Sequence, residues 1–395
     1  MDKRDITQIL SYAVFAGLVN LSLPLGIQAI VNFIQLGEVS TSWIILIILV
    51  VLGVGFVGVL QLMQLRLTED LQQKIFTRSS FEFAYRLPKI KFTELFNAYP
   101  PELTNRFFDT LSVQKGISKI LIDFSAGILQ IVFGIALLSF YHPFFIFYGI
   151  ILVALVFIIF KYTAPKGLKT SLEESKYKYK IAHWLQEIAR SVNSFKMSGK
   201  TSLALGKNDA LTTGYLKARE NHFKVLILQF IQLIGFKILV TAGLLIIGGL
   251  LVLNQQMNIG QFVAAEIIIL LIMASVEKLI LGLETLYDVL TSLEKIGQVV
   301  DLELEDLDGE EAFPTSQENL KLSLTNVGFT YPMAKEKALI NINLTIESTD
   351  RICIIGDNES GKTTLLRVLA GLLEPQEGNF LVNGNKLQTL QINSY

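Results

Sequence analysis

The chain has 395 residues, of which 51% are apolar and only 17% are charged, whereas about 25% charged is usual for a soluble domain. Its 34 basic and 35 acidic residues nearly cancel, so it lacks the net positive charge that nucleic-acid binding requires. The high apolar content excludes disorder, one cysteine excludes a disulfide framework or a thiolate zinc cluster, and the three distant histidines give no metal-ligand spacing.

Four long segments contain no charged residue. They are Ile6–Gly37, Val39–Leu65, Phe124–Phe160 and Ile238–Ala265, of 32, 27, 37 and 28 residues. A helix needs about 20 mainly apolar residues to cross about 30 Å of hydrocarbon. Buried core helices of a soluble protein are the alternative, but the length and number of these segments argue against it.

Polar turns divide the longer segments into hairpins. Tyr141–Pro143 splits one of them, and Asn254–Asn258 turns the chain within another. We therefore predict an all-α membrane domain over residues 1–300. Its six spans are expected at about 7–36, 41–65, 121–140, 143–163, 223–253 and 259–283.

The distribution of Lys and Arg predicts the orientation of these spans. Arg66–Asp123 and Lys161–Lys224 carry 9 and 13 basic residues, whereas the turns at Gly37–Ser42, Tyr141–Pro143 and Asn254–Gln261 carry none. The basic segments, together with the N-terminus, are therefore expected in the cytoplasm. This predicts a multi-pass protein of the cell (inner) membrane, in contact with membrane lipid, whose first apolar stretch is too long for a cleaved signal peptide.

The basic cytoplasmic segments have helical rather than loop composition. Leu67–Leu87 and Leu172–Val192 lack Gly and Pro and space their apolar residues three and four apart. We expect the membrane helices to continue into the cytosol, reverse and return. Pro88 and the Pro100-Pro101 pair interrupt the first segment near its reversal.

Ionisable residues also occur inside the predicted spans. Lys237 and Glu277 fall at similar depth and are able to pair, or Lys237 extends to the cytoplasmic interface. Glu266 either lines an aqueous cavity or sits near the outer interface. The sequence leaves both pairs of alternatives open.

The composition changes after the last span. Asp301–Glu311 holds seven acids in eleven residues, which predicts an acidic linker over 301–318. Period-2 alternation then predicts strands around Leu320–Thr325 and Ile340–Glu347. Arg351–Ile355 is almost wholly apolar, which predicts a buried third strand with Cys353 as a small buried hydrophobe.

A phosphate-binding pattern follows this third segment. Gly356–Thr363 fits G-x-x-x-x-G-K-[ST] and runs into a predicted helix, Thr364–Leu372. In such a loop, amides at a helix N-terminus contact phosphate oxygens, Lys362 reaches the β- and γ-phosphates, and the Thr363 hydroxyl coordinates Mg²⁺. The candidate ATP-binding residues here are Gly356, Asp357, Asn358, Glu359, Ser360, Gly361, Lys362, Thr363 and Thr364.

Six spans with cytoplasmic extensions, an acidic linker and this loop resemble an ABC exporter half-transporter over essentially the whole chain. Asn326–Tyr331 is similar to the segment whose aromatic residue stacks on adenine, which implies that role for Tyr331. Leu372–Gly378 resembles the stretch that follows the loop helix. The resemblance implies a six-helix exporter-type membrane domain followed by an α/β nucleotide-binding domain.

The resemblance also extends to the cytoplasmic segments. Arg86–Pro88 and Phe195–Gly199 resemble the bend of the first extension and the return of the second. It implies coupling helices around Tyr99–Arg106 and Ala182–Arg190. It further implies a second, identical half-transporter as partner, with ATP sandwiched between the two nucleotide domains.

Two departures from the family's pattern stand out. Glu359 occupies a loop position where the family commonly has Gly, which adds negative charge beside the phosphates. Tyr395 lies only 33 residues beyond Lys362, before the family's signature sequence, catalytic Glu and switch His. We therefore expect a fragment of a longer product, in which 319–395 is a partial ATP-binding domain without catalytic residues that does not hydrolyse ATP alone.

These features favour ATP-driven export of an unidentified peptide, lipid or amphipathic small molecule by alternating access. One alternative is a non-transporting membrane regulator whose degenerate nucleotide domain only senses ATP, which Glu359 favours. An importer is a second alternative, against which the fusion of membrane and nucleotide parts argues by family analogy.

Overall fold

The computed structural model of the chain describes residues 3–36, 41–97, 99–199, 201–305, 320–332 and 334–387. The chain forms two units, which are described separately. The helical unit comprises residues 1–80 and 106–296, and the mixed unit comprises residues 81–105 and 297–395.

Helices make up most of the described chain. Their bounds are α1 Lys3–Asn20, α2 Ser22–Leu36, α3 Thr41–Arg86, α4 Pro100–Asn105, α5 Asp109–Lys119, α6 Ser125–Tyr141, α7 Phe144–Arg190, α8 Val192–Met197, α9 Leu203–Leu253, α10 Ile259–Val300 and α11 Lys362–Leu369. Short 3₁₀ turns lie at Leu87–Lys89, Glu94–Asn97 and Arg106–Phe108, and a π-turn at Ile120–Phe124.

Six helical segments of the described residues are long and apolar enough to cross a membrane, which confirms the predicted number of spans. Two of the predicted turns are also confirmed, because α6 ends at Tyr141 and α9 ends at Leu253. The first turn lies largely at 37–40, and the acidic linker largely at 306–318. Both stretches are outside the described residues.

The first apolar segment consists of two helices. α1 ends at Asn20 and α2 begins at Ser22, with a turn at Leu21. Pro24 explains the interruption, because it has no N–H to donate and its ring clashes with the carbonyl four residues earlier, that of Asn20.

The long helices continue past membrane length, as predicted. α3, α7 and α9 have 46, 47 and 51 residues, whereas about 20 are enough to cross hydrocarbon. α3 ends where the 3₁₀ turn containing Pro88 begins. The short helix α4 then occupies the reversal expected around Tyr99–Arg106.

No separate helix begins at Ala182–Arg190, where the second coupling helix was expected. These residues are the last turns of α7, since the stretch contains neither Gly nor Pro and the helical hydrogen bonds continue to Arg190. The backbone leaves the helical conformation at Ser191, with φ −101° and ψ 22°. The separate short helix is α8, just beyond it.

The core of the helical unit lies between α6, α7, α9 and α10. Leu233, Ile268 and Ile272 are buried there. A buried carboxamide joins three of these helices, since the Gln229 Nε2 donates to Thr163 Oγ1 at 3.1 Å and to the Tyr287 hydroxyl at 2.7 Å. In a membrane such interhelical hydrogen bonds contribute about 0.6 kcal/mol each.

Lys237 and Glu277, which the sequence places at similar depth in their spans, form an ion pair between two helices. The Lys237 Nζ lies 2.7 Å from Glu277 Oε2, which connects α9 to α10. Glu266 is half-buried and forms no hydrogen bond or ion pair with the part of the chain that the structure describes. The pairing explains how a span carries a lysine at this depth.

The mixed unit contains an antiparallel sheet. Its strands are β1 Lys321–Phe329, β2 Leu339–Glu347, β3 Glu377–Val382 and β4 Asn385–Lys386, in the order β2-β1-β3-β4. β1 and β2 confirm the two strands predicted from alternation. Val327, Val368 and Val382 form the fully buried centre between the sheet and α11.

A short backbone pairing joins two distant segments of the mixed unit. The Lys91 N–H donates to the Glu303 carbonyl at 2.9 Å, and the Glu305 N–H donates to the Lys89 carbonyl at 2.7 Å. The Lys91 ammonium also hydrogen-bonds the Glu303 carboxylate, and this bond lowers the pKa of that exposed carboxyl below its ordinary value. The segment after α3 is thereby tied to the segment after α10.

The third strand predicted at Arg351–Ile355 is wrong. This segment forms no strand, and Ile352 and Ile355 are 47% and 86% exposed. A buried parallel strand needs neighbouring strands to pair with, and the antiparallel sheet in the described residues, β2-β1-β3-β4, does not include this segment. For the same reason Cys353, expected to be buried, is exposed.

Candidate functional site

The loop that matches the phosphate-binding pattern leads directly into α11. Gly361, immediately before the helix, has φ +86°. A Cβ on it would lie 2.4 Å from the Ala338 carbonyl oxygen, so both the conformation and the space require glycine here. This glycine lets the loop turn sharply into the first turn of α11.

Glu359 is the departure from the expected loop chemistry. Its φ is +66°, in the left-handed region that a non-glycine residue enters at a cost of about 1–2 kcal/mol. The loop therefore has the backbone shape for which a glycine is suited, but carries a carboxylate at that position.

Lys362 is folded back over the loop. Its Nζ donates to the Gly356 carbonyl at 2.8 Å and to the Asp357 carbonyl at 2.5 Å, and lies 3.4 Å from Ser360 Oγ. These bonds hold the ammonium across the mouth of the loop, next to the N-terminus of α11. The first amides of a helix have no intrahelical partner, so this end combines free donors with a cation.

The two threonines after Lys362 have different environments. Thr363 is exposed, so its hydroxyl is accessible to solvent. Thr364 is 5% exposed, and its Oγ1 lies 3.2 Å from the Tyr331 hydroxyl. The donor set of the loop (backbone amides, one ammonium and one exposed hydroxyl) fits a polyphosphate with its divalent cation.

Tyr331 is held by contacts that local sequence patterns did not reveal. Its ring packs edge-to-face on Phe329 and Phe96, each with ring centroids 5.1 Å apart. The Arg367 Nη1 donates to its hydroxyl at 3.2 Å, and the Arg367 guanidinium lies 5.0 Å from the centre of the Phe92 ring. The segment 92–96, more than 230 residues earlier in the chain, is thus part of the surroundings of Tyr331.

The structure brings most of the predicted site together. Glu359, Lys362 and Thr363 belong to one loop and helix start, and Tyr331 joins them through Thr364. Phe92, Phe96 and Arg367 were missed. The only signal in the sequence was that Phe92 and Phe96 lie four residues apart after Pro88. This spacing indicates that the two rings share one face of the segment, but it does not indicate which residues pack against them.

The sequence matches two family descriptions. Residues 7–276 match the ABC transporter transmembrane region, and residues 339–395 match the ABC transporter family. The second match contains the loop and α11, so this part of the chain is an ATP-binding region.

Curated relatives match shorter segments. The chain is 29% identical over 206 residues to the alpha-hemolysin translocation ATP-binding protein HlyB of Escherichia coli O157:H7, covering 52% of this chain and 29% of HlyB. It is 41% identical over 70 residues to the subtilin transport ATP-binding protein SpaT of Bacillus subtilis, covering 18% and 11%. It is 31% identical over 153 residues to the probable microcin-H47 secretion/processing ATP-binding protein MchF of Escherichia coli, covering 39% and 22%. The matches thus span less than a third of each relative.

A solved structure shares the fold. It is described as a bacterial Atm1-family ABC exporter with ATP bound, and it superposes with a TM-score of 0.83 at 16% identity. The match covers 99% of this chain and 69% of that one. Since the transmembrane-region match alone covers more than half of the residues, this chain is a membrane protein that belongs to the ABC transporter transmembrane region family.

Proposed function

We propose that the chain is a subunit of an ATP-driven exporter that moves its substrate out of the cytoplasm by alternating access. The observation that carries the proposal is the combination, in one chain, of six membrane-spanning helices with the loop that Lys362 closes. A membrane domain and an ATP-binding region encoded together are what a half-transporter requires.

The proposed ATP site uses the chain's own groups in separate roles. The backbone amides from Gly356 to Gly361 and the Lys362 ammonium bind phosphate oxygens, the Thr363 hydroxyl binds Mg²⁺, and the Tyr331 ring supports the base. Asp357, Asn358, Glu359, Ser360 and Thr364 complete the contact set. When bound with Mg²⁺, ATP supplies the free energy that favours one conformation of the transporter over the other.

The proposed location is the cell (inner) membrane, with the N-terminus and the nucleotide-binding region in the cytoplasm. The support is the positive-inside rule, because 22 Lys and Arg residues lie in the two long connecting segments and none lies in the three short turns.

The proposed partner is a second, identical half-transporter. Six spans with one nucleotide-binding region make half of the assembly that encloses ATP between two such regions. The substrate classes left open by the sequence are peptide, lipid and amphipathic small molecule. The relatives named for alpha-hemolysin, subtilin and microcin H47 favour the first of these.

Replacement of Lys362 tests the proposal. Lys362→Ala in the chain in lipid nanodiscs should abolish binding of a fluorescent ATP analogue. In cells that make the full-length protein, the same substitution should also remove from the medium the compounds that accumulate only when the unsubstituted protein is present. Lys335→Ala, at an exposed lysine of the mixed unit outside the loop, is the matched control. Unchanged export by Lys362→Ala would contradict the proposal.

An ATP-sensing membrane regulator is the second candidate function. Glu359 favours it, because a carboxylate beside the phosphate site weakens binding and suits a sensor with low affinity. A regulator predicts ATP binding that depends on Lys362 together with a medium whose composition is the same with and without the protein. The two measurements above therefore distinguish the candidates.

A further inference from the structure

The aromatic side chain of Tyr331 lies just beyond the end of β1, where the sheet no longer holds it. Its hydroxyl is fixed by Thr364 and Arg367, at 3.2 Å each. These two bonds do not fix the plane of the ring, because the hydroxyl oxygen lies on the axis about which the ring rotates. A tyrosine ring turns over a broad range about this axis, so its plane depends on what packs against its sides.

Two other rings pack against the sides of Tyr331. The centroids of Phe329 and Phe96 each lie 5.1 Å from that of Tyr331, with interplanar angles of 85° and 70°. Phe329 is the last residue of β1 and is 3% exposed, so the sheet holds it. Phe96 comes from the segment between α3 and α4 and packs on the apolar centre of the mixed unit. Together these edge-to-face contacts restrict the rotation of the Tyr331 ring.

The segment that carries Phe96 is itself held in place. The N–H groups of three successive residues ending at Phe96 donate to the carbonyls three residues earlier, at 3.0, 3.2 and 3.4 Å. The Phe92 ring packs edge-to-face on Phe96 with centroids 5.5 Å apart, and the Arg367 guanidinium lies 5.0 Å from the centre of the Phe92 ring. Phe96 is therefore a fixed neighbour of Tyr331 rather than a mobile one.

We propose that Phe96 is a positioning residue for the nucleobase, a proposal that rests on the ATP-binding function proposed above. A ring supports a base only when its plane matches that of the base, and ordering a free side chain on binding lowers affinity. Phe96 sets the plane of the Tyr331 ring before ATP binds, which removes this loss. The affinity for the base then depends on a residue outside 339–395, within the stretch that matches the transmembrane region.

A positioning role and a purely structural role of Phe96 differ in the part of the nucleotide that they affect. The groups proposed to bind phosphate are held by bonds that do not involve Phe96, since Lys362 donates to the carbonyls of Gly356 and Asp357. A change at Phe96 should therefore weaken binding of the base and spare the phosphates. General damage to the apolar centre would instead disturb α11, whose Val368 is buried there, and weaken both.

Isothermal titration calorimetry on the chain in lipid nanodiscs with Mg²⁺ compares ATP with inorganic tripolyphosphate, which has three phosphates and no base. Phe96→Leu keeps an apolar side chain and removes the ring. It should weaken ATP binding about fivefold and leave the affinity for tripolyphosphate unchanged.

Phe380→Leu is the matched control. Phe380 is 4% exposed in the same apolar centre and forms no ring contact with a residue that the structure describes. The substitution should lower the melting temperature but leave the affinities for both ligands unchanged. A selective loss of ATP binding in this variant as well would show that any damage to the apolar centre acts on the base, and would overturn the proposal.

A double variant tests whether Phe96 acts through Tyr331. Tyr331→Ala removes the ring that Phe96 orients, so adding Phe96→Leu should weaken ATP binding no further. The ratio of the ATP affinity to the tripolyphosphate affinity should be the same in Tyr331→Ala with and without the second change. A further fivefold loss in the double variant would show that Phe96 acts on the nucleotide by another route, and would also overturn the proposal.

The failure of this proposal is distinguishable from the failure of the proposed function. Equal weakening of ATP and tripolyphosphate by Phe96→Leu would leave Phe96 a structural role only, and unchanged ATP binding would leave it none. Either result overturns the positioning role while binding that depends on Lys362 stands. Equal affinity of the wild type for ATP and tripolyphosphate would do the same, because the base would then contribute nothing. Absence of binding of both ligands by the wild type would instead overturn the ATP-binding function itself.

Discussion

The Tyr331 hydroxyl lies 3.2 Å from the Oγ1 of Thr364, the second residue after the loop lysine. This contact connects the aromatic residue just beyond the end of β1 with the first turn of α11, although they are 33 residues apart. Arg367 donates to the same hydroxyl from one turn further along α11. The position of the aromatic ring is therefore coupled to that of the phosphate loop.

Two substitutions at Tyr331 separate its two proposed roles. Tyr331→Phe removes the hydrogen bonds but keeps the ring, so it should lower the free energy of unfolding by about 1 kcal/mol and change ATP affinity little. Tyr331→Ala also removes the ring and should weaken ATP binding about tenfold, since stacking of a base on an aromatic ring contributes roughly 1–3 kcal/mol. Titration with a fluorescent ATP analogue and thermal melting check both. Equal ATP affinity in the two variants would disprove base stacking.

Glu359 gives a prediction in which a substitution improves binding. Glu359→Gly should stabilise the loop by about 1 kcal/mol, because glycine adopts a φ of +66° without strain, and should tighten ATP binding severalfold by removing a negative charge. Glu359→Gln removes the charge and keeps the strain. It should therefore share the gain in affinity, most clearly at low salt, but not the gain in stability. Weaker ATP binding by both variants would mean that the carboxylate assists the site.

Packing of α7 on α10 depends on a glycine. A Cβ on Gly167 would lie 2.3–2.6 Å from atoms of the Tyr287 side chain, so Gly167→Ala should destabilise the helical unit by about 1–3 kcal/mol and disturb the Gln229 hydrogen bond. Gly235→Ala on α9 is the matched control. It meets no atom within 4 Å and should stabilise its helix by about 0.5–1 kcal/mol. Melting in detergent compares the two, and similar melting temperatures would contradict the packing argument.

Exchanging the charges of Lys237 and Glu277 should show whether their ion pair stabilises the protein. Lys237→Glu and Glu277→Lys alone each place two like charges within a few ångströms of one another and should lower stability by about 1 kcal/mol or more. The double variant restores opposite charges and should recover most of the loss. Thermal melting in nanodiscs measures the coupling, and additive losses in the double variant would show that the two side chains do not interact in the membrane.

The sequence was sufficient for features that depend on local pattern or length. The turns at Tyr141 and Leu253 and the continuation of α3 past the membrane follow from where charges, Gly and Pro occur. The loop around Lys362 follows from its motif, because glycine spacing and helix polarity are local requirements.

The errors arose where the structure depends on distant partners. Arg351–Ile355 has the composition of a buried strand, but composition does not supply neighbouring strands, and the segment is exposed. The contact of Phe96 with Tyr331 joins residues more than 230 positions apart, which periodicity does not detect. The coupling helix expected around Ala182–Arg190 is part of α7, because the composition of a helix that continues to Arg190 does not differ from that of a separate short helix.

The contribution of residues 81–105 to the mixed unit has a practical consequence for dissecting the protein. A recombinant piece that starts at β1 would lack Phe92 and Phe96, which pack against the apolar centre of that unit, and the strand-like pairing of Ile90 with Leu304. Such a piece should bind hydrophobic dyes and precipitate readily. Grafting 81–105 back through a flexible tether should restore its solubility.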